Sequence, residues 1–221
     1  LLGGTDTLTY AGTTAAVTVN LGAGTASGFT SIVSIENVIG GAGADTLTGT
    51  AGVTNALTGG NGDDTFVVHD TADTVSEANL LAGGVDTVNS LANVYTITDA
   101  DVENLTFIGV GNFTGTGNAS NNRLAGGTGN DSLNGGTGND TFFFTTAFGA
   151  DTITGFDSNP AGGQDIIRLG LALGINAGNF GGNVNIAASG ANTLVTIGAN
   201  TITLLGVAVA TVDVNDFTFG N

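Results

Sequence analysis

A nine-residue pattern, G-G-x-G-x-D-x-U-x with U a large apolar residue, occurs in full four times and constrains the fold more than any other feature. The copies span residues 40–48 (GGAGADTLT), 59–67 (GGNGDDTFV), 126–134 (GGTGNDSLN) and 135–143 (GGTGNDTFF). Degenerate copies flank them. Residues 49–58 run to ten, with Asn55 in the Asp place and Leu57 in the apolar one, and residues 117–125 carry Asn122 and Leu124. Residues 68–76 have lost the glycines but keep Asp73 and Val75 in phase. Six turn residues followed by a three-residue strand do not make a compact hairpin; they make one edge of a coil. Two nonapeptides complete a flattened turn of about 18 residues, and successive coils stack about 4.8 Å apart. The spacing therefore predicts an all-β chain, a parallel β-roll solenoid. Leu47, Leu57 and Phe66, then Leu124, Leu133 and Phe142, point into its thin core.

A longer period overlies the short one. GGTDTL (residues 3–8) recurs as GGVDTV (83–88), and IENVIG (35–40) recurs loosely as VENLTFIG (102–109). This predicts a first unit over residues 1–67, a second over 68–143 that opens with a linker, and a tail over 144–221 without full nonapeptides, which forms a β cap. Residues 7–10 and 16–21 alternate apolar and polar around a small-residue turn, as a hairpin insertion does. In the tail, residues 183–187, 193–197 and 201–205 read as consecutive short strands, with Gly198-Ala199-Asn200 turning between the last two. Residues 71–81 show no sustained helical period.

Composition removes several functional classes. Of 221 residues 39 are Gly, and acidic side chains outnumber basic ones 19 to 2, a formal charge of −17. Arg123 and Arg168 are the only basic residues, so no patch exists to bind nucleic acid or anionic lipid. No apolar run approaches the roughly 20 residues of a membrane helix, so no membrane insertion is expected. Without Cys there are no disulfides, Fe–S clusters or thiolate zinc sites. The start, Leu1-Leu2-Gly3-Gly4, has neither a charged segment nor an apolar one of the Sec type and no initiator Met, which predicts a piece of a longer chain.

The turns carry the chemistry. Glycines admit turn geometry closed to other residues and let carbonyls converge on a point, where each Asp adds an anionic oxygen. Six to eight hard oxygens at about 2.3–2.6 Å are what Ca²⁺ requires. The expected ligands, carboxylates with turn residues around them, are Gly40, Ala42 and Asp45; Gly59, Asn61 and Asp64; Gly126, Thr128 and Asp131; Gly135, Thr137 and Asp140; and Asp73 and Asp151. Turns two nonapeptides apart share an edge, so Asp45 and Asp64 are expected to flank one ion, and Asp131 and Asp151 another. Asp140 has only Asn122 before it, which predicts a weaker site. A flexible Gly-Asn-Asp linker would not keep an apolar residue two places after each Asp. Burying one Leu or Phe per nonapeptide yields roughly 1.5–3 kcal/mol, whereas ordering each backbone costs about 1–2 kcal/mol. Ion binding is therefore expected to supply folding free energy.

Other residues read as structural. His69, the only histidine, has no company beyond Asp70 and Asp73 and is expected at the surface. Glu36 and Glu103 could be read as a general acid and base, but their recurrence in the same repeat context predicts a structural role at the start of each coil. Alternation places Phe142 and Phe144 inward with Phe143 outside, and Asp63 is expected in solvent. No G-x-S-x-G, S-x-x-K, P-loop or H-E-x-x-H motif occurs; no enzyme is expected in this stretch.

The four full nonapeptides resemble those of the RTX (repeats-in-toxin, haemolysin-type calcium-binding) family. The pattern GGVDTV … VENLTF … GTGNASNNRL is similar to the spacer units of large bacterial RTX proteins. FGADTITGFD (148–157), QDIIRL (164–169), TLVTIGANTITLLGV (193–207) and DFTF (216–219) resemble C-terminal caps that carry an uncleaved type I secretion signal. The resemblance implies several Ca²⁺ ions, a type I exporter as partner and an extracellular or cell-surface location. Two functions are compatible with it. One is a non-catalytic module serving structure, adhesion, or assembly of a surface layer, matrix or fibre by homo-polymerisation. The other is the secretion and folding module of a protease or lipase whose catalytic domain lies elsewhere.

Overall fold

The computed structural model describes residues 4–77, 84–159 and 163–220. In chain order the strands are β1 (Thr7–Thr9), β2 (Thr18–Asn20), β3 (Thr25–Ala26), β4 (Asn37–Ile39), β5 (Thr46–Thr48), β6 (Ala56–Thr58), β7 (Thr65–Val68), β8 (Thr74–Ser76), β9 (Thr87–Ser90), β10 (Val94–Thr96) and β11 (Asn104–Phe107). They continue as β12 (Thr114–Thr116), β13 (Arg123–Ala125), β14 (Ser132–Asn134), β15 (Thr141–Phe144), β16 (Ala150–Thr154), β17 (Ile166–Leu169), β18 (Val184–Ser189), β19 (Asn192–Ile197), β20 (Asn200–Leu204) and β21 (Phe217–Phe219). The one α-helix among the described residues is the single turn Phe180–Asn183. The chain divides into two compact units, residues 1–92 with 97–108, and residues 93–96 with 109–221.

In the first unit consecutive coil strands alternate between two sheets. One runs β1-β4-β6-β8 and the other carries β2, β5, β7, β9 and β11 side by side, all parallel. Strand registers stack the inward residues as Leu8-Val38-Leu57-Val75 in one sheet and Val19-Leu47-Phe66-Val88-Leu105 in the other. Every member of the second stack is fully buried. The ten-residue copy keeps register: its extra residue is absorbed before β6, and Leu57 still lies between Val38 and Val75. Glu77 closes the described part of the segment after β8, and the remainder of the stretch tested for helix, 78–81, lies outside the described residues.

One expectation fails here. Residues 7–10 and 16–21 do not form a hairpin: β1 pairs with β4, whereas β2 pairs with β5. A three-residue coil strand shows the same exposed–buried–exposed alternation as a hairpin strand, so the pattern alone did not separate them. The hairpin that does exist is β2–β3, antiparallel through Val19↔Ala26 and Asn20↔Thr25.

The second unit repeats the scheme and carries it beyond the last full nonapeptide. Here β10-β12-β14-β16-β20 and β13-β15-β17-β21 are parallel. The three strands expected over 183–205 are β18, β19 and β20, an antiparallel meander added to the first of these sheets. Phe180 packs on Phe217 and Phe219, with ring centroids 4.8 and 5.9 Å apart. Phe142 and Phe144 are buried as expected, and the outward Phe143 ring lies 4.1 Å beneath the Arg123 guanidinium.

The second unit also holds a substitution within its core. Gly115 takes the inward position between Tyr95 and Leu133, leaving that layer without a side chain. The ring of Phe113, 2% exposed, fills it, lying 2.5 Å from where a Cβ on Gly115 would be.

Candidate metal centre

Each Asp of the repeat sits one place before a strand, so stacking the strands stacks the carboxylates. In the first unit the Val17 N–H donates to Asp45 Oδ1 at 2.7 Å, the Asp45 N–H to Asp64 Oδ1 at 2.7 Å, the Asp64 N–H to Asp86 Oδ1 at 2.7 Å, and the Asp86 N–H to Glu103 at 2.8 Å. In the second unit the same ladder runs Phe113 to Asp131 to Asp151, and Asn122 to Asp140 to Asp165. The sequence separations run from 17 to 28 residues, so turns of different length reach the same rung. One carboxylate oxygen thus satisfies a buried backbone donor in the coil before it.

The other oxygen separates the residues into two groups. Asp45 Oδ2 accepts from the Gly41 N–H at 2.7 Å, and Asp73 Oδ2 accepts from the N–H groups of His69 and Asp70. Asp64 Oδ2, Asp86 Oδ2 and Asp131 Oδ2, together with Glu77 Oε1, are buried and have no hydrogen-bond partner among the described residues. Leaving a carboxylate oxygen dry and unpaired costs several kcal/mol, on the order of the penalty for burying an uncompensated charge. Such an oxygen is satisfied either by a proton or by a metal cation.

Glycine at the first position makes room for it. A Cβ on Gly126 or Gly135 would collide with Oδ2 of Asp131 or Asp140. On Gly40 it would strike both Asp45 Oδ2 and the Gly59 carbonyl, and on Gly117 both Asn122 Oδ1 and the Gly135 carbonyl. The first glycine of one turn therefore faces its own acidic or amide oxygen and the first carbonyl of the next turn on that edge. The second glycine has a separate requirement: Gly60 and Gly136 adopt φ 116° and 102°.

Burial pushes these carboxyls up. Asp64 rises to about 7, opposed by the Asp45 N–H and reinforced by the charges of Asp45, Asp86 and Asp63. Glu77 rises to about 8 and Asp86 to about 6, again by burial first. In the second unit burial lifts Asp151 to about 7, Asp140 to about 6, and Asp131 and Asp165 upward. Without a counter-ion the folded turns thus favour the protonated form.

The expected ligand residues distribute as follows. Asp45 and Asp64 share an edge one coil apart, as do Asp131 and Asp151. Gly40, Gly59, Gly126 and Gly135 are in the cradle, whereas Thr128 and Thr137 are exposed. Ala42 and Asn61 donate their N–H groups to Thr13 and Gly41 carbonyls. Glu36 and Glu103 lie at the Asp rung and accept from Asp6 and Asp86 N–H groups, which is the structural role their recurrence indicated. His69 is half-buried instead of open to solvent, with Nδ1 sealed off. Asp63 is exposed and accepts from the Val85 N–H.

Sequence reasoning missed Glu77, Asp86 and Asp165. Asp165 is the rung after Asp140, and Asp86 the rung after Asp64. Both carry a usable signal, since each precedes an apolar-alternating stretch as the repeat Asp does. Asp64, Glu77 and Asp86 each present an oxygen to one cluster whose members lie within 4.8 Å of one another. The donor set of this centre is all oxygen, anionic and buried, and so suits a hard divalent cation such as Ca²⁺.

The description of the RTX calcium-binding nonapeptide repeat matches this chain in four copies, over residues 35–53, 54–76 and 116–145. No curated protein matches the chain. Among solved structures, the chain is similar to the extracellular lipase LipA from Serratia marcescens at 18% identity and a TM-score of 0.45. That similarity covers 82% of this chain and spans 39% of the lipase.

Proposed function

We propose that this chain, which carries RTX calcium-binding nonapeptide repeats, is a non-catalytic extracellular module that folds on calcium after passage through a type I exporter. The observation that carries the reading is the run of buried carboxylate oxygens left without a hydrogen-bond partner along stacked turns. When bound, Ca²⁺ supplies the positive charge those oxygens lack. The chain's own residues do the rest: glycines hold the cradle open, Asp Oδ1 atoms tie coil to coil, and the inward ladders seal the core. Cytosolic Ca²⁺ is far below the range of about 10⁻⁴–10⁻³ M at which extracellular modules bind, so the chain stays unfolded inside and threads a narrow exporter. Outside, folding opposes its return.

Its role after export is structural, in adhesion or in assembly of a cell-surface layer, matrix or fibre. Strand edges at the end of a parallel coil are templates for a further copy, which supports assembly by homo-polymerisation. No helix of the described residues is long and apolar enough to cross a membrane. Residues 144–221 carry the export signal in this reading. Deleting 162–221 is expected to abolish release from a host with a type I exporter, while the intact chain appears in the medium. Equal export of the two forms overturns the assignment.

A further inference from the structure

Three cradles in this chain compare directly, and one differs in kind. Gly40 faces Asp45 Oδ2 and the Gly59 carbonyl, and Gly117 faces Asn122 Oδ1 and the Gly135 carbonyl. Gly59 faces Asp64 Oδ2 and, where the next turn's carbonyl would be, Glu77 Oε1 at 2.5 Å from a Cβ position. Glu77 follows β8 just as Gly40 follows β4 and Gly59 follows β6, so it occupies the first-glycine place of its turn. Its Oε2 accepts from the Gly60 N–H at 3.0 Å, which aims Oε1 inward. Asp86 adds Oδ2 from the next rung. Asp64 and Asp86 are 1% and 0% exposed, and all three inward oxygens lack a partner among the described residues.

We propose that Asp64, Glu77 and Asp86 form a calcium site distinct from the nonapeptide sites, in which a carboxylate replaces a glycine carbonyl and which takes the first ion the chain binds. The proposal rests on the calcium reading above and deepens it. Ligand charge sets calcium affinity in oxygen sites. Three carboxylates around one divalent ion leave one net negative charge, whereas one carboxylate with neutral carbonyls leaves a positive one. Among the described residues the cluster gathers three acidic oxygens within 4.8 Å of one another, so its first ion relieves their mutual repulsion.

The test is calcium binding to the full chain, by titration calorimetry and by counting ions in native mass spectra. Wild type is expected to show a first ion at least about tenfold tighter than the rest. Glu77→Gln is expected to lose that step and keep the weaker ones, and Glu77→Gly, which restores the residue found at this place in the other turns, to merge it with them. Asp213→Asn, at a residue that caps a short helical turn in the second unit, is expected to leave the first step unchanged. Equal first-step affinity in wild type and both Glu77 variants overturns the site while leaving calcium binding intact; no binding by wild type overturns both. A measurement that needs no variant uses Gd³⁺, whose charge matches three carboxylates. Added below stoichiometry to calcium-folded wild type, it is expected to broaden the amide resonances of Glu77 and Asp86 first. First broadening at Asp131 or Asp140 overturns the proposal.

Discussion

Asp64 uses its two oxygens for different purposes, one for the Asp45 N–H and one facing the cluster with Glu77 and Asp86. Asp64→Ala removes both, orphaning a buried donor at about 1–3 kcal/mol and deleting a ligand. It is expected to cost one bound ion and to destabilise the first unit more than Asn122→Ala, which frees the Asn118 N–H and deletes no carboxylate, destabilises the second. Denaturant melts in calcium with ion counting make the comparison; equal losses contradict it. The same carboxyls set the pH dependence. Folding raises Asp64 to about 7, Glu77 to about 8, Asp86 to about 6, Asp140 to about 6 and Asp151 to about 7, all above the ordinary carboxylate range. A carboxyl raised by folding stabilises the fold when protonated, fully so below its unfolded value, and loses that contribution as pH rises through the folded value. In chelator, acidification from about pH 8 to about pH 4 is therefore expected to increase β structure. Circular dichroism across that range checks it, and a β signal that falls on acidification contradicts it. With calcium present the sign reverses, because protons compete with the ion for the same oxygens.

The turn-and-strand element explains what the repeat made legible and what it hid. Two nonapeptides per coil was enough to place Leu47 beside Phe66 and Leu57 in the opposite sheet, because strand identity follows from counting. Counting also kept the Asp rung across turns of unequal length. It did not reveal Phe113, because an apolar residue at the Asp rung looks like a lost ligand until Gly115 is seen to leave a hole beside it. Glu77 was hidden for a different reason: it lies outside every nonapeptide, and only the end of β8 shows that it takes a glycine's place. The hairpin expected over 7–21 failed because alternation is common to both kinds of strand. Three substitutions probe the element. Gly59→Ala pushes a methyl group into Asp64 Oδ2 and Glu77 Oε1, and is expected to destabilise by about 1–3 kcal/mol and weaken ion binding. Gly181→Ala, with nothing within 4 Å of its Cβ position, is expected to change stability by less than about 0.5 kcal/mol. Calcium-dependent thermal melts of the pair decide, and equal shifts contradict the cradle. Phe113→Ala empties the space beside Gly115 and is expected to cost about 3–5 kcal/mol in the same assay.

At the scale of the molecule the governing quantity is charge. A chain of −17 stacks its carboxylates in ladders and buries them, an arrangement that water disfavours and calcium reverses. The architecture was readable from four nonapeptides and an apolar residue two places after each Asp. The continuation into β16 was legible from Asp151 and its apolar partner two places on, whereas that into β17, β20 and β21 was not, since the tail keeps the strands but drops the full nonapeptides. The central claim is that ion binding and folding are one equilibrium in this chain. Far-ultraviolet circular dichroism of the intact chain at neutral pH, in excess EDTA and then in millimolar Ca²⁺, tests it most directly. The expected result is a largely unfolded spectrum in EDTA that becomes β-rich, with a cooperative melt, on adding calcium. An unchanged β spectrum and melting temperature in EDTA would contradict it.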